Sequence, residues 1–170
     1  MAAWQPAYIG LGSNLSDPAA QVRGAVQALA SLPQTRLVVV SRLFGSRPLG
    51  AAGQPDFVNA AAGILTQLTA LELLRALQGL EVTAGRPAVH EHWGPRVIDL
   101  DILLFGAEQS VGPELVLPHP GVVERNFVLY PLADIAPDLE VPGSGRVRAL
   151  LARVPADGVW PLGEARPGEG

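Results

Sequence analysis

The sequence contains no cysteine and no lysine, and only 16% of its 170 residues are charged. Without cysteine there are no disulfides, no thiolate metal ligands and no thiol nucleophiles. Because all 12 basic residues are arginines, the lysine of a phosphate-binding P-loop is missing too. Any phosphate must therefore be bound by guanidinium groups, backbone N–H groups or a metal ion.

The chain also lacks a surplus of positive charge and a long apolar run. Its net charge of −4 argues against a general affinity for nucleic acid, which needs a basic surface. No apolar segment approaches the length that spans a bilayer, and the first residues do not resemble an export signal. We therefore expect a soluble, cytoplasmic monomer, with a single domain over residues 1–170 that binds neither nucleic acid nor membrane.

Hydrophobic periodicity predicts the element order β-α-β-β-α-β. Asp17 and Pro18 indicate the start of the first helix, and a capping box formed by Thr69 and Glu72 indicates the start of the second. The predicted elements are a strand at 7–12, a helix at 17–33, strands at 36–44 and 57–65, a helix at 69–80 and a strand at 96–104.

This order is typical of α+β, ferredoxin-like folds, in which helices cover one face of a mainly antiparallel sheet and leave the other face for a ligand. C-terminal additions are expected after Gly106. They comprise a short hairpin through Leu117, irregular segments punctuated by proline, and a helix from about Val147 to Arg153. Residues 163–170 are expected to form a frayed tail.

Two carboxylates, Asp99 and Asp101, stand two positions apart in the last predicted strand, which is otherwise apolar. The period of a strand places both on one face. Two interpretations remain open from the spacing alone. The pair shares a hard cation such as Mg²⁺, or it faces water while the apolar residues of the other face form core, namely Ile98, Leu100, Ile102 and Leu104.

Two long predicted loops, 45–55 and 84–95, are either tolerated insertions or functional lids. The second carries His90 and His92 toward the acidic strand. These histidines lack the spacing of a zinc site, because the sequence has neither an HExxH pattern nor a thiol partner. The run GLGSN at 10–14 matches half of a dinucleotide-binding fingerprint, but a turn into a capped helix explains it better.

Five motifs follow one another along the chain. They are YIGLGSNL at 8–15, QPDFVNA at 54–60, GR at 85–86, WGPRVIDLDI at 93–102 and PHP at 118–120. Together, from about Tyr8 to Leu139, they strongly resemble the 6-hydroxymethyl-7,8-dihydropterin pyrophosphokinase family of folate biosynthesis. The block at 93–102 is highly specific, whereas the glycine motif alone would be weak.

The resemblance implies transfer of a pyrophosphoryl group from ATP to the hydroxymethyl oxygen of the pterin, with release of AMP. It also implies that Asp99 and Asp101 bind two Mg²⁺ ions and that Arg86 and Arg96 act as catalytic cations on the phosphates. This assignment is physically consistent, because metal ions that bridge phosphates neutralise charge and align the reacting oxygens. Guanidinium groups, for their part, fit phosphate oxygens well.

The resemblance further implies a nucleotide side and a pterin side. On the nucleotide side, Ile102 would act through its backbone, and Gln78 and Glu81 are expected to face away from the leucines of the second helix. The implied ATP-binding residues are Gln78, Glu81, Arg86, Arg96, Ile102 and His119.

The pterin is a flat ring with a hydrogen-bonding edge, which calls for stacking and amide recognition. By the resemblance, Phe57 and Phe127 stack on the ring, Asn59 binds its edge, and Trp93 closes over it. The implied pterin-binding residues are Ser46, Leu49, Phe57, Asn59, Trp93, Arg125 and Phe127.

The chain departs from the family pattern at two positions. Ala88 stands where a second cation of the lid is usual, and Pro120 stands where a tyrosine often follows the histidine. No residue stands out as a general base. Two other functions remain open: a non-catalytic ligand-binding module, and a single-strand or RNA-binding domain that uses the open sheet face, against which the acidic pair argues.

Overall fold

An antiparallel sheet forms the centre of the computed structural model, which describes residues 2–15, 17–48, 53–84 and 97–163. The strands are β1 Gln5–Ser13, β2 Thr35–Val40, β3 Leu43–Ser46, β4 Phe57–Thr66, β5 Asp99–Phe105, β6 Ser110–Val111, β7 Val116–Leu117, β8 Glu140–Val141, β9 Gly145–Arg146 and β10 Val159–Gly163. The helices are α1 Pro18–Ala30, α2 Ala70–Thr83, α3 Asn126–Ile135 and α4 Val147–Leu151, with a 3₁₀ turn at Pro120–Val122.

The main sheet has the order β10-β3-β4-β1-β5, and β2 also pairs with β4. All of these pairings are antiparallel. Helix α1 connects β1 to β2, and β4 lies between these two strands and pairs with both, which is the split β-α-β arrangement of ferredoxin-like folds. The predicted fold class is therefore confirmed.

The predicted strand at 36–44 is wrong as a single strand, because it is interrupted between β2 and β3. At the interruption, Ser41 donates its backbone N–H to the carbonyl of Ala61 (2.9 Å), and its hydroxyl accepts the N–H of Ala61 (2.8 Å). The serine side chain thus replaces a strand partner in the middle of β4. As a result, β2 and β3 pair with different halves of β4.

Helices α1 and α2 cover one face of the sheet, as predicted. Asp17 caps α1 by accepting the N–H of Ala20 (3.4 Å), and Thr69 and Glu72 form the expected capping box on α2. Leucines of both helices pack on inward side chains of β1, β4 and β5 in one fully buried core. Burial of this apolar face is the main source of stability for the two helices.

A β-bulge in β5 creates a second core on the opposite face. Ile9 of β1 pairs with Ile102 and Tyr8 pairs with Leu104, so Leu103 is an extra residue on β5. Leu103 and Leu104 consequently both point to the face opposite α1 and α2, where they pack with α3 and α4. The expectation that Leu104 shares a face with Ile102 is therefore wrong, because the extra residue reverses the alternation at this point.

Helix α3 corrects the expectation of irregular structure after residue 118. Pro131 lies inside this helix, and an internal proline ordinarily ends one. Leu129 and Leu132, both fully buried in the second core, hold the helical conformation through packing. The predicted hairpin through Leu117 and the helix beginning at Val147 are confirmed as β6–β7 and α4.

The end of the described chain also differs from expectation. Residues 159–163 form β10, so Gly163 is the last residue of a strand rather than part of a frayed tail. Residues 164–170 lie outside the described part of the chain. Among the described helices, each is too short or too polar to cross a bilayer.

Candidate active site

The two aspartates of β5 lie on the face opposite α1 and α2, as the spacing predicted. Ile98, Leu100 and Ile102 point the other way, into the first core. Both carboxylates are only partly buried, and the side chain of Asp101 is 45% exposed. Charged carboxylates thus remain accessible to a ligand while their strand stays anchored by its apolar side.

Two glycines of β1 lie across from the carboxylates, and one of them, Gly12, leaves open space beside Asp99. Gly12 pairs with Asp99, and Gly10 pairs with Asp101. A methyl group added to Gly12 would lie 3.2 Å from Oδ1 of Asn59, which pairs with the same glycine from β4. The sheet surface between Asp99 and Asn59 is therefore bare backbone, which a flat or highly charged ligand can approach closely.

Glu81 of α2 corrects the expectation that it faces away from the leucines. It is only 8% exposed and continues the buried row of Leu73 and Leu77 at helical spacing. Its Oε2 accepts the backbone N–H of Leu100 at 2.9 Å. This bond ties α2 to the strand segment between the two aspartates. Gln78, in contrast, is exposed as expected and accepts a hydrogen bond from Arg75 (3.3 Å).

His119 lies next to the acidic strand, with Nε2 3.9 Å from Oδ2 of Asp101. Its Nδ1 accepts the N–H of Gly121 at 2.9 Å, so in the neutral ring the proton is on Nε2, toward Asp101. Burial, followed by the positive charge of Arg125, lowers the pKa of the imidazole, and Asp99 opposes this effect. The histidine is therefore a neutral donor at pH 7.

Polar and aromatic groups meet on the far side of the sheet surface. Asn59, which is buried, donates its amide N–H to the hydroxyl of Ser46 at 2.7 Å. This bond fixes the orientation of the amide on the sheet surface. The guanidinium of Arg125 lies 6.0 Å from the centroid of the Phe127 ring, at the limit of a cation–π contact.

A cavity of about 410 Å³ joins these groups. Ten of the residues implied by the resemblance line it: Ser46, Phe57, Asn59, Gln78, Glu81, Asp99, Asp101, His119, Arg125 and Phe127. Ile102 is buried in the first core and does not line the cavity. The predicted residues Leu49, Arg86, Trp93 and Arg96, and the departure at Ala88, lie outside the described residues.

The cavity also contains residues that sequence reasoning did not select. Arg47, Leu74, Leu103 and Val128 contribute to its walls, in addition to the two glycines of β1. One sequence feature could have indicated Arg47: it is a positively charged residue in a predicted loop, and the chain has only 12 basic residues. The three apolar residues had none, since nothing local distinguishes a wall leucine from a core leucine.

The donor set suits Mg²⁺ better than a metal that needs an all-protein cage. Within the described residues, no group of three or more His, Asp or Glu side chains converges on one point. Mg²⁺ is commonly held by one or two carboxylates together with water and substrate phosphates. Asp99 and Asp101, accessible and beside bare backbone, meet that requirement.

Known proteins with similar sequences are pterin pyrophosphokinases. A family model described as 7,8-dihydro-6-hydroxymethylpterin-pyrophosphokinase matches residues 8–137. The 2-amino-4-hydroxy-6-hydroxymethyldihydropteridine pyrophosphokinase of Pseudomonas aeruginosa is 50% identical over 156 residues, which is 91% of this chain and 95% of that protein. The enzyme of the same name from Haemophilus influenzae is 45% identical over 145 residues, covering 85% and 90%.

Solved structures share the fold at low sequence identity. The Plasmodium falciparum HPPK-DHPS crystal structure with pteroate superposes with a TM-score of 0.72 at 12% identity, over 90% of this chain. This chain spans only 45% of that longer protein. The wild-type structure with SDX-DHP gives a TM-score of 0.69 at 14% identity.

Proposed function

This chain belongs to the 7,8-dihydro-6-hydroxymethylpterin-pyrophosphokinase family, and we propose that its 410 Å³ cavity is the active site of that reaction. The enzyme transfers a pyrophosphoryl group from ATP to hydroxymethyldihydropterin in folate biosynthesis. One observation supports the proposal that this cavity is the active site: the carboxylates of β5 and the aromatic and amide groups of the far wall all line it.

Asp99 and Asp101 are proposed to hold Mg²⁺, two ions in all, against the phosphates of ATP. Bound there, the metal neutralises phosphate charge and polarises the phosphoryl group that is attacked. The protein's own contribution is to fix both carboxylates on a strand that the first core and Glu81 anchor. Such preorganised charge needs little rearrangement during the reaction.

The nucleotide is proposed to lie along the outer edge of β5. The N–H of Leu100 points to Glu81 on α2 rather than to β1, so by strand periodicity the backbone of Ile102 faces the same edge. His119, which is neutral and carries its proton on Nε2, donates toward the phosphates there. Gln78 completes this side, and Arg86 and Arg96 are proposed as further phosphate ligands.

The pterin is proposed to lie over the bare strand segment at Gly12. Phe57 and Phe127, which are both half-buried in the cavity wall, offer faces for stacking. Asn59 binds the edge of the ring, and its bond to Ser46 prevents the amide from rotating away. The same proposal assigns Leu49, Trp93 and Arg125 to this side. Held in this way, the substrate hydroxyl reaches the β-phosphorus from a fixed direction, which lowers the entropic part of the barrier.

The nucleotide product provides the test of the proposed site and its metal. Incubation with ATP, Mg²⁺ and hydroxymethyldihydropterin is expected to yield AMP, measured by ion-exchange chromatography. Asp99→Asn and Asp101→Asn, which keep the shape of the side chain, are each expected to reduce kcat by at least about a hundredfold, because one charge beside the phosphates is lost.

The matched control is Asp138→Asn, which removes a surface carboxylate that pairs with Arg148. It should leave kcat within about twofold of the wild type. Formation of ADP would contradict the reaction. Full activity of both aspartate variants would contradict the placement, and the absence of any nucleotide product would favour a non-catalytic binding module.

A further inference from the structure

Residues 155–163, which end in β10, form a C-terminal segment that joins two walls of the cavity. One is the β3 wall, formed by Ser46 and Arg47, and the other is the α3 wall, formed by Arg125, Phe127 and Val128. These walls are about 80 residues apart in sequence, and both belong to the proposed pterin side. Nothing in the periodicity of the C-terminal residues indicates that they act on this site.

Asn126 connects the segment to the α3 wall. Its side-chain Nδ2 donates to the carbonyl of Pro155 at 2.9 Å and to that of Asp157 at 2.8 Å. Its neighbours Arg125 and Phe127 line the cavity, whereas the side chain of Asn126 points toward the C-terminal segment that it bonds. Arg125 is the N-cap of α3 and, within the described residues, makes no side-chain capping bond. The two bonds of Asn126 therefore tether the first turn of the helix.

The next residue along, Gly158, connects the segment to the β3 wall. Its carbonyl accepts the backbone N–H of Arg47 at 3.0 Å, and β10 then pairs with β3 through Val159 and Ser46. Ser46 is the residue whose hydroxyl holds the amide of Asn59. Three hydrogen bonds, joined by the peptide bonds between Asp157 and Gly158 and between Arg47 and Ser46, thus connect Asn126 to the amide of Asn59.

Trp160 secures the strand from the other side. Its indole packs against Gly45, where a β-carbon would clash with the ring. Gly45 pairs with Val58, a residue of the first core, so the indole lies on the face opposite the cavity. Trp160 therefore holds the strand on that face, while the backbone of the strand pairs with β3.

We infer that Asn126 is a positioning residue for the pterin, acting through the carbonyls of Pro155 and Asp157 to hold the α3 and β3 walls at a fixed separation. This inference rests on the proposed pterin side. It predicts that the loss of these bonds weakens pterin binding more than ATP binding, because the nucleotide side is built from α2 and β5.

The test is Asn126→Asp, which keeps the shape of the side chain but replaces both N–H donors with an oxygen that faces two carbonyls. The KM for the pterin is expected to rise about tenfold, as two hydrogen bonds of ordinary strength are lost, while the KM for ATP changes less than about twofold. Asn126→Gln, which retains the donors, is expected to recover most of the affinity.

Gln67→Glu is the matched control, because Gln67 also donates its amide to a backbone carbonyl, that of Ala2 at 3.0 Å, and does not line the cavity. It should change neither KM. If Asn126→Asp does not fold, Asn126→Ser, which keeps one donor, takes its place with an expected rise of about threefold.

An unchanged pterin KM in folded Asn126→Asp, or in Asn126→Ser where it replaces that variant, would overturn the inference, as would an equal rise in both KM values. Absence of AMP formation by the wild type would instead overturn the proposed function, so the two failures are distinguishable.

Discussion

Asp99 and Asp101 depend on residues that have no side chain. Each carboxylate has a glycine directly across from it on β1. The side chain of Leu103 covers Gly10, whereas the surface over Gly12 is open toward Asn59. A larger residue in place of Gly12 would fill the surface on which the pterin is proposed to lie, so this glycine shapes the cavity as much as the charges do.

Gly12→Ala tests whether the open surface over Gly12 is used for pterin binding. The added methyl would lie 3.2 Å from Oδ1 of Asn59, whose amide cannot turn without losing its bond to Ser46. We expect the KM for the pterin to rise by about threefold to tenfold, corresponding to about 1 kcal/mol of lost binding, in steady-state assays of AMP formation.

The control is Gly24→Ala in α1, where an added methyl meets nothing within 4 Å. It should leave both KM values unchanged and stabilise the protein by about 0.5–1 kcal/mol, since alanine is the better helix former. A pterin KM for Gly12→Ala equal to that of the wild type would show that the bare surface is not used.

Among the helices, α2 contributes two polar residues to the cavity, Gln78 and the buried Glu81. Its start is defined by the capping box, in which Thr69 accepts the N–H of Glu72 (3.1 Å) and Glu72 accepts the N–H of Thr69 (2.9 Å). The bond to the Thr69 backbone, and then that to its side chain, lower the pKa of Glu72 below its ordinary value of 4.5.

Removal of this cap tests how much it contributes to the free energy of unfolding. Thr69→Ala is expected to lower the free energy of unfolding by about 1 kcal/mol, measured by urea denaturation. Because the pKa of Glu72 is lower in the folded state, its stabilisation is complete above pH 4.5 and is lost as the pH falls through the folded value.

The difference in stability between the wild type and Glu72→Gln should therefore shrink on acidification from pH 6 to pH 3. A difference that stays constant over this range would contradict the assigned role of the carboxylate.

At the scale of the whole molecule, one sheet separates two cores. The first contains α1 and α2, and the second contains α3 and α4, with the cavity beside the second. The bulge at Leu103 allows β5 to supply aspartates to the cavity and leucines to the second core on the same face. We propose that the whole chain forms one catalytic domain and acts as a monomer in the cytoplasm.

Leu73→Ala and Leu129→Ala compare the two cores, since both leucines are fully buried. Each substitution is expected to cost about 2–5 kcal/mol and to shift a single unfolding transition followed by circular dichroism. Leu129→Ala should in addition raise the pterin KM, because Leu129 packs α3 on the second core and the same helix carries Phe127.

Light scattering should give a mass near 17.8 kDa, that of a monomer. Two separate transitions, or a dimer mass, would contradict the proposal.

The sequence by itself determined the features that depend on near neighbours. The shared face of Asp99 and Asp101, the caps at Asp17 and Thr69, and the split β-α-β order all follow from short-range geometry, and the structure has them as predicted. The five motifs indicated the family, and the resemblance to that family named the residues that are expected to surround one cavity.

Only the tertiary structure decided the features that depend on distant partners. Ser41 breaks a β-branched run because Ala61 offers it both backbone groups, and Glu81 is buried because the N–H of Leu100 needs an acceptor. In the same way, Pro131 is tolerated within a helix that packs on the second core, and Asn126 finds its partners about 30 residues further along the chain. The energy in each case comes from a contact that no local window contains, so local propensity is overridden by packing and by the need to satisfy buried polar groups.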